Sequence, residues 1–183
     1  MADTDRVRWD QKYLGRTGGP PAVPQIFARY VDAIPADGQA LELACGSGAA
    51  TVWLARRGLS VWGVDVSPVA IEQAQELAHR LDVTDRCRFS VVDLDDGLPP
   101  GPPVDMILCH LFRDRRLYPA MVDRLVAGGL LAISVLSEVG AQPGFFRASA
   151  GELDDAFADL HVLAAGEGDG QAWLLARVKG ERP

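Results

Sequence analysis

The sequence has no surplus of positive charge. Lys and Arg number 18 against 25 Asp and Glu, a formal net charge of −7. A duplex nucleic-acid binder needs a cationic face to displace counterions from phosphates, so nucleic acid is not an expected partner. Long apolar runs are missing too. None approaches the roughly 20 residues that span a bilayer, and the opening "MADTDRVRWD" has no apolar core of the kind a secretory signal carries. A cytoplasmic location without membrane contact is the expectation from those two absences. Cysteine is scarce: Cys45, Cys87 and Cys109 form an odd, widely spaced set without a C-x-x-C pair. They read as reduced thiols rather than a disulfide framework, and no metal site is expected. Internal repeats and low-complexity tracts are also absent.

What is present suits one α/β domain. The chain has 183 residues, 48% of them apolar, which is enough for a substantial core. A helical cap is expected over residues 1–35 and the α/β core over 36–183. The cap holds an amphipathic helix over Asp5 to Leu14 with Trp9 and Tyr13, a loop over Gly15 to Pro24, and a helix over Gln25 to Ala33. From residue 40 strands and helices alternate. The strands are "ALELAC", "SVWGVD", "CRFSVVD", "VDMILCH" and "LLAISVL". Helices are expected over Ala50 to Arg57, after the Ser67-Pro68 cap, and over Arg115 to Val126, the last ended by Gly128-Gly129. Ser149 and Glu152 have capping-box spacing ahead of a further helix. The strands "HVLAAGE" and "AWLLARV" flank "GDG" and predict a closing hairpin. Near-continuous apolar strands separated by helices imply a mostly parallel sheet covered on both faces.

Ligands of such sheets bind beyond the carboxyl ends of the strands. In "ELACGSGAAT", Glu42 to Thr51, Gly46 and Gly48 allow a tight turn and close backbone approach. Asp65 ends the second strand, 17 residues past Gly48, where a carboxylate can accept from ribose hydroxyls. Asp93 ends the third strand and can accept from an exocyclic amine. Together they describe an adenosine site, for which two cofactors compete. A dinucleotide wants G-x-G-x-x-G and no nearby negative charge. Here the third glycine is replaced by Thr51, and Glu42 is close. S-adenosylmethionine has a sulfonium and an ammonium instead of phosphates, so acidic surroundings favour it.

The segments "WDQKY", "LELACGSGAATVWLARRGLSVWGVDVSPVAIEQA", "VVDLDDGLP", "DMILCHLF", "LVAGGLLAIS" and "FRASAGELDDAF" resemble class I S-adenosylmethionine-dependent methyltransferases. Within that class they are similar to the small group related to the tellurite-resistance methyltransferase. The resemblance implies a three-layer Rossmann-like fold, a seven-stranded sheet of order 3-2-1-4-5-7-6 with a C-terminal antiparallel hairpin. It also implies cofactor contacts at Ala44, Gly46 and Gly48, at Asp65 with Val66, and at Asp93 with Leu94. Ala44 departs from the class, which usually has glycine there. Glu42, Cys45 and Cys109 join these as candidates because they sit at the same strand ends.

The expected activity is methyl transfer to a small-molecule acceptor, such as a metalloid oxyanion or a thiol-type compound. Too little chain lies outside the core for recognising a macromolecule. His110 is the candidate base, with Glu138 beside it, although a soft anionic acceptor needs none. Cys45 and Cys109 are weighed as ligands of a soft metalloid against two buried small hydrophobes. Arg113, Arg115, Arg116 and Arg147 are weighed as anion holders against solvated helix starts. Trp9 and Tyr13 read equally as a lid or as packing, while Trp53, Trp62 and Trp173 read as core. Two rival functions stand: a nicotinamide-dependent oxidoreductase, and a non-catalytic module that only binds S-adenosylmethionine.

Overall fold

Local sequence rules place most of the elements that surround the site. The computed structural model describes residues 2–15 and 18–180. Arg16 and Thr17 of the expected loop lie outside them. Helix α1 (Ala2–Tyr13) leads to a 3-10 stretch over Gln25–Ala33, which buries Phe27 and breaks from helical geometry at Tyr30. Five strands then alternate with helices: β1 (Gln39–Leu43), α2 (Ala49–Arg57), β2 (Ser60–Asp65), α3 (Pro68–Arg80), β3 (Cys87–Val91), β4 (Val104–His110), α4 (Tyr118–Arg124) and β5 (Leu125–Leu136). Helix α5 (Glu152–Ala156) precedes the hairpin of β6 (His161–Gly168) and β7 (Gln171–Arg177). The sheet order is β3-β2-β1-β4-β5-β7-β6, as the class resemblance implies.

The chain clusters into two units, Met1–Pro100 and Gly101–Pro183. In the first, β1–β2 and β2–β3 pair in parallel. Helix α3 starts where expected: the Ser67 hydroxyl accepts from Ala70 N–H at 3.1 Å, and Pro68 fills the first helical position. Its buried face is Ala70, Ile71, Ala74, Leu77 and Ala78. In the second unit β4 and β5 pair in parallel, and β7 is antiparallel to both β5 and β6. Met106 to Cys109 and Leu130 to Ile133 are fully buried, as strands covered on both faces must be. Asp169 and Gly170 take φ of +50° and +79°, the paired left-handed conformations of a tight hairpin turn.

Three expectations need correction. The helix expected over Arg115 to Val126 is a 3-10 turn (Arg115–Leu117) followed by α4, and it stops at Arg124. Gly128 and Gly129 do not end it; both lie within β5, where the register slips between Val104↔Leu125 and Met106↔Leu130. Gly128, at φ +76°, serves that irregularity, and Val178 bonds both glycines. Ser149 does not cap α5: Gly151 occupies the N-cap position in a left-handed conformation, with no side-chain cap. The three tryptophans are half-buried rather than core, Trp62 covered by the Arg88 guanidinium at 4.0 Å from its ring.

Candidate cofactor site

The turn after β1 alternates between ordinary and left-handed backbone. Ala44, Gly46 and Gly48 have φ of +52°, +53° and +78°. Glycine adopts that region without penalty, whereas the Cβ of Ala44 strains it. At Gly48 a side chain has no room: an added Cβ would lie 2.6 Å from the Cβ of Ala74 on α3. Gly46 faces a different neighbour. A Cβ there would lie 2.7 Å from the Tyr13 hydroxyl, so α1 is laid over the turn. Asp10 of α1 accepts from the Ser67 hydroxyl at 2.5 Å, and Gln73 Nε2 donates to the Tyr13 carbonyl at 3.0 Å. Trp9 stacks beside Tyr13 at 6.1 Å, with the Lys12 ammonium 4.1 Å above its ring.

Asp65 organises this turn. Its Oδ2 accepts from Gly46 N–H at 2.8 Å and its Oδ1 from Ser67 N–H at 2.9 Å. Burial pushes its pKa up, opposed by those backbone hydrogen bonds. An ionised carboxylate has about four acceptor positions, so Asp65 retains capacity for a further donor. Gly48 N–H is also spent, on the Cys45 carbonyl at 3.0 Å. A pyrophosphate needs such N–H groups free and aimed outward. Here the two glycine amides are committed inside the protein, one of them to a carboxylate.

Glu42 is placed differently from Asp65. It is 5% exposed, with its carboxyl beneath α2, where Oε2 accepts from the Thr51 hydroxyl. Burial pushes its pKa up to about 8, so it is mainly neutral at pH 7. The acidity around this turn therefore comes from Asp65, not from Glu42. Cys45 is buried beside it, its thiol held protonated chiefly by burial, with the Asp65 charge acting in the same direction. Val66 and Asp93 are half-buried, and Leu94 is buried. Asp93 accepts from Asp95 N–H at 2.9 Å and so caps the short 3-10 turn Leu94–Asp96.

In the second unit, Cys109 is fully buried and its thiol lies 3.4 Å from the Phe112 carbonyl. His110 ends β4, half-buried, with Nδ1 2.6 Å from the Ser134 hydroxyl. Burial lowers its pKa. Glu138 follows β5 and donates its N–H to the Ala148 carbonyl. The arginines are held by protein partners. Arg113 makes a bidentate pair with Glu152 at 2.7 and 2.6 Å, Arg116 pairs with Asp114 at 2.6 Å, and Arg147 donates to the carbonyls of Ser137 and Gly170. The Arg113–Glu152 pair was not foreseen. Its partners are 39 residues apart, and the only signal was an acidic residue beside the apolar face of a short helix.

Residues 40–129 match the family described as a methyltransferase domain. The trans-aconitate 2-methyltransferase of Streptomyces coelicolor is 31% identical over 161 residues, 82% of this chain and 50% of its own length. The chain spans half or less of the length of the curated relatives it matches. Among solved structures, TehB from Haemophilus influenzae is similar at a TM-score of 0.76 with 19% identity, covering 95% of this chain and 67% of TehB. The magnesium protoporphyrin IX methyltransferase of Synechocystis, with bound SAH, gives 0.74 with 14% identity, covering 97% of this chain and 99% of its own. The chain carries a class I S-adenosylmethionine-dependent methyltransferase domain that resembles TehB, and the glycine turn and Asp65 lie within it.

Proposed function

We propose that this chain binds S-adenosylmethionine at the turn from Ala44 to Gly48 and transfers its methyl group to a small-molecule acceptor. The observation that carries the reading is the commitment of Gly46 N–H to Asp65. It turns that amide inward onto a carboxylate, which suits a cofactor with a sulfonium and an ammonium and disfavours a pyrophosphate. Asp65 accepts the ribose hydroxyls through its remaining lone pairs. Asp93, Leu94 and Val66 border the nucleoside, and Tyr13 closes over the turn. Glu42, Cys45 and Ala44 act through the shape of the turn. Cys109 fills the end of β4 as a buried hydrophobe.

The acceleration comes from holding acceptor and sulfonium in line in a desolvated site. A metalloid oxyanion held by thiols is the less favoured acceptor, because Cys45 and Cys109 are buried and the Cys45 thiol is kept protonated. A relative named for trans-aconitate favours a small organic acceptor instead.

Calorimetry and thermal shift test this reading. S-adenosylhomocysteine at a hundredfold excess over its Kd should raise Tm by about 5–10 °C, while NAD leaves it unchanged. No heat with S-adenosylhomocysteine, together with saturable NAD binding, would establish the oxidoreductase. Tight binding without any methylated product across an acceptor panel would establish the non-catalytic module.

A further inference from the structure

Glu42 is a titratable group sealed inside the first unit, beside the cofactor turn. It sits on β1 two residues before Ala44, and its register partner on β2 is Gly63. A glycine in mid-strand weakens the strand, and here it makes room. A Cβ at Gly63 would lie 2.8 Å from the Thr51 hydroxyl oxygen and 3.0 Å from the Cys45 sulfur. The space it frees is taken by the Thr51 side chain, from the first turn of α2, whose hydroxyl donates to Glu42 Oε2. Thr51 is fully buried and Glu42 nearly so. The mid-strand glycine thus lets a carboxyl be held, dry and hydrogen-bonded, under the start of a helix.

That carboxyl lacks a counter-ion. Burial keeps the proton on Glu42; the Thr51 hydroxyl and N–H oppose it, and the like charge of Asp65 sides with burial. The groups that face it are Thr51 from α2, Asp65 from β2, and the thiols of Cys45 in the turn and Cys87 on β3. None of these is a cation. The start of α2 carries the partial positive charge of a helix N-terminus, which supports an anion beneath it. A carboxyl given donors and a helix start, yet no cation, is poised to ionise when positive charge arrives. S-adenosylmethionine brings that charge as a sulfonium, which S-adenosylhomocysteine lacks. A unit charge within about 10 Å, at an effective dielectric constant of about 20, lowers a carboxyl pKa by about one unit.

We propose that Glu42 is the counter-ion of the methyl donor: protonated in the free protein, it releases its proton when S-adenosylmethionine binds and keeps it when S-adenosylhomocysteine binds. This rests on the methyltransferase reading above and goes beyond the part Glu42 has in the shape of the turn. The step balances as a carboxylic acid and a cationic ligand giving a carboxylate, the bound ligand and a proton passed to water. Once the methyl group has left, the sulfur is neutral. Glu42 then takes a proton back, and the product loses the ion pair that favoured the donor. Glu42 is thereby a specificity-determining residue, selecting the charged cofactor over the spent one.

Calorimetry of the whole chain in two buffers of different ionisation enthalpy counts the protons. At pH 7, S-adenosylmethionine should release about half a proton more from the wild type than from Glu42→Gln, the variant cancelling any titration of the ligand itself. S-adenosylhomocysteine should show no such difference. From pH 6 to pH 8 the wild-type preference for S-adenosylmethionine over S-adenosylhomocysteine should rise about fivefold relative to that of the variant. Equal proton release from wild type and variant overturns the proposal, as does equal release with both ligands. Failure of both ligands to bind the wild type is a different result, and it overturns the methyltransferase reading together with the proposal. Should Glu42→Gln not fold, wild-type protein carrying 13C at the glutamate carboxyls still decides. At pH 7 one glutamate of the free protein should resonate as a carboxylic acid, move to the carboxylate position with S-adenosylmethionine and stay in place with S-adenosylhomocysteine. A free protein with every glutamate ionised, or an acid signal that persists with S-adenosylmethionine, overturns it.

Discussion

Single residues at the β1 exit carry opposing costs. Glu42 has a folded-state pKa raised by burial to about 8 from an ordinary 4.5. The folded chain therefore holds a proton that the unfolded chain has released between those values. Its contribution is full below about pH 4.5 and is lost as pH rises toward 8, at up to ~1.4 kcal/mol per pH unit. Glu42→Gln keeps a partner for Thr51 and removes the titration. Urea unfolding should find the variant gaining on the wild type steadily from pH 5 to pH 8, and parallel curves would contradict it. Ala44 and Gly48 share a left-handed backbone but not the same surroundings. Ala44→Gly relieves strain against a similar loss of chain entropy, so its unfolding midpoint should move by less than about 1 kcal/mol. Gly48→Ala adds strain and a collision with Ala74, and should cost more than about 2 kcal/mol in the same assay. Glycine spacing is visible in the sequence, as is Asp65. That Asp65 holds Gly46 N–H while Glu42 turns inward is not, because two carboxylates at neighbouring strand ends look alike until burial is assigned.

Among the elements, α1 and α5 are each tied down by contacts distant in sequence. Helix α1 is held to α3 through Asp10 with Ser67 and Gln73 with Tyr13, and it sets the Tyr13 hydroxyl at Gly46. Tyr13→Ala should speed dissociation of S-adenosylhomocysteine at least threefold in stopped-flow measurements while leaving the thermal midpoint within about 2 °C. Glu152, buried, gathers Arg113, Arg115 and the Tyr118 hydroxyl. Burial acts to raise its pKa, and Arg113, the Tyr118 hydroxyl and Arg115 together lower it below the ordinary glutamate value. The pair adds stability above the ordinary glutamate range that is lost as pH falls through the lowered value. Glu152→Ala leaves these partners unsatisfied and should cost about 2 kcal/mol, measured by chemical denaturation at pH 7. Periodicity and a serine cap made α3 readable. At α5 the same rules found the helix but not its cap, since Gly151 rather than Ser149 takes the N-cap position and Glu152 pairs with Arg113. They failed at the end of α4, where a glycine pair suits a helix terminus and a strand irregularity equally well.

At the scale of the molecule, the alternation of apolar strands with amphipathic helices was written locally, since a period of two or of 3.6 residues is a property of neighbours along the chain. Alternation, the hairpin turn and the glycine turn with its downstream Asp65 were legible for that reason, and the class resemblance added the strand order. Tertiary structure decided the rest. It removed water from Glu42 and left it neutral, spent the glycine amides inside the protein, committed the arginines to carboxylates and carbonyls, and set Ser134 against His110. Those outcomes depend on which groups a folded chain brings within about 3 Å and which it isolates from solvent, and no spacing along a sequence encodes either.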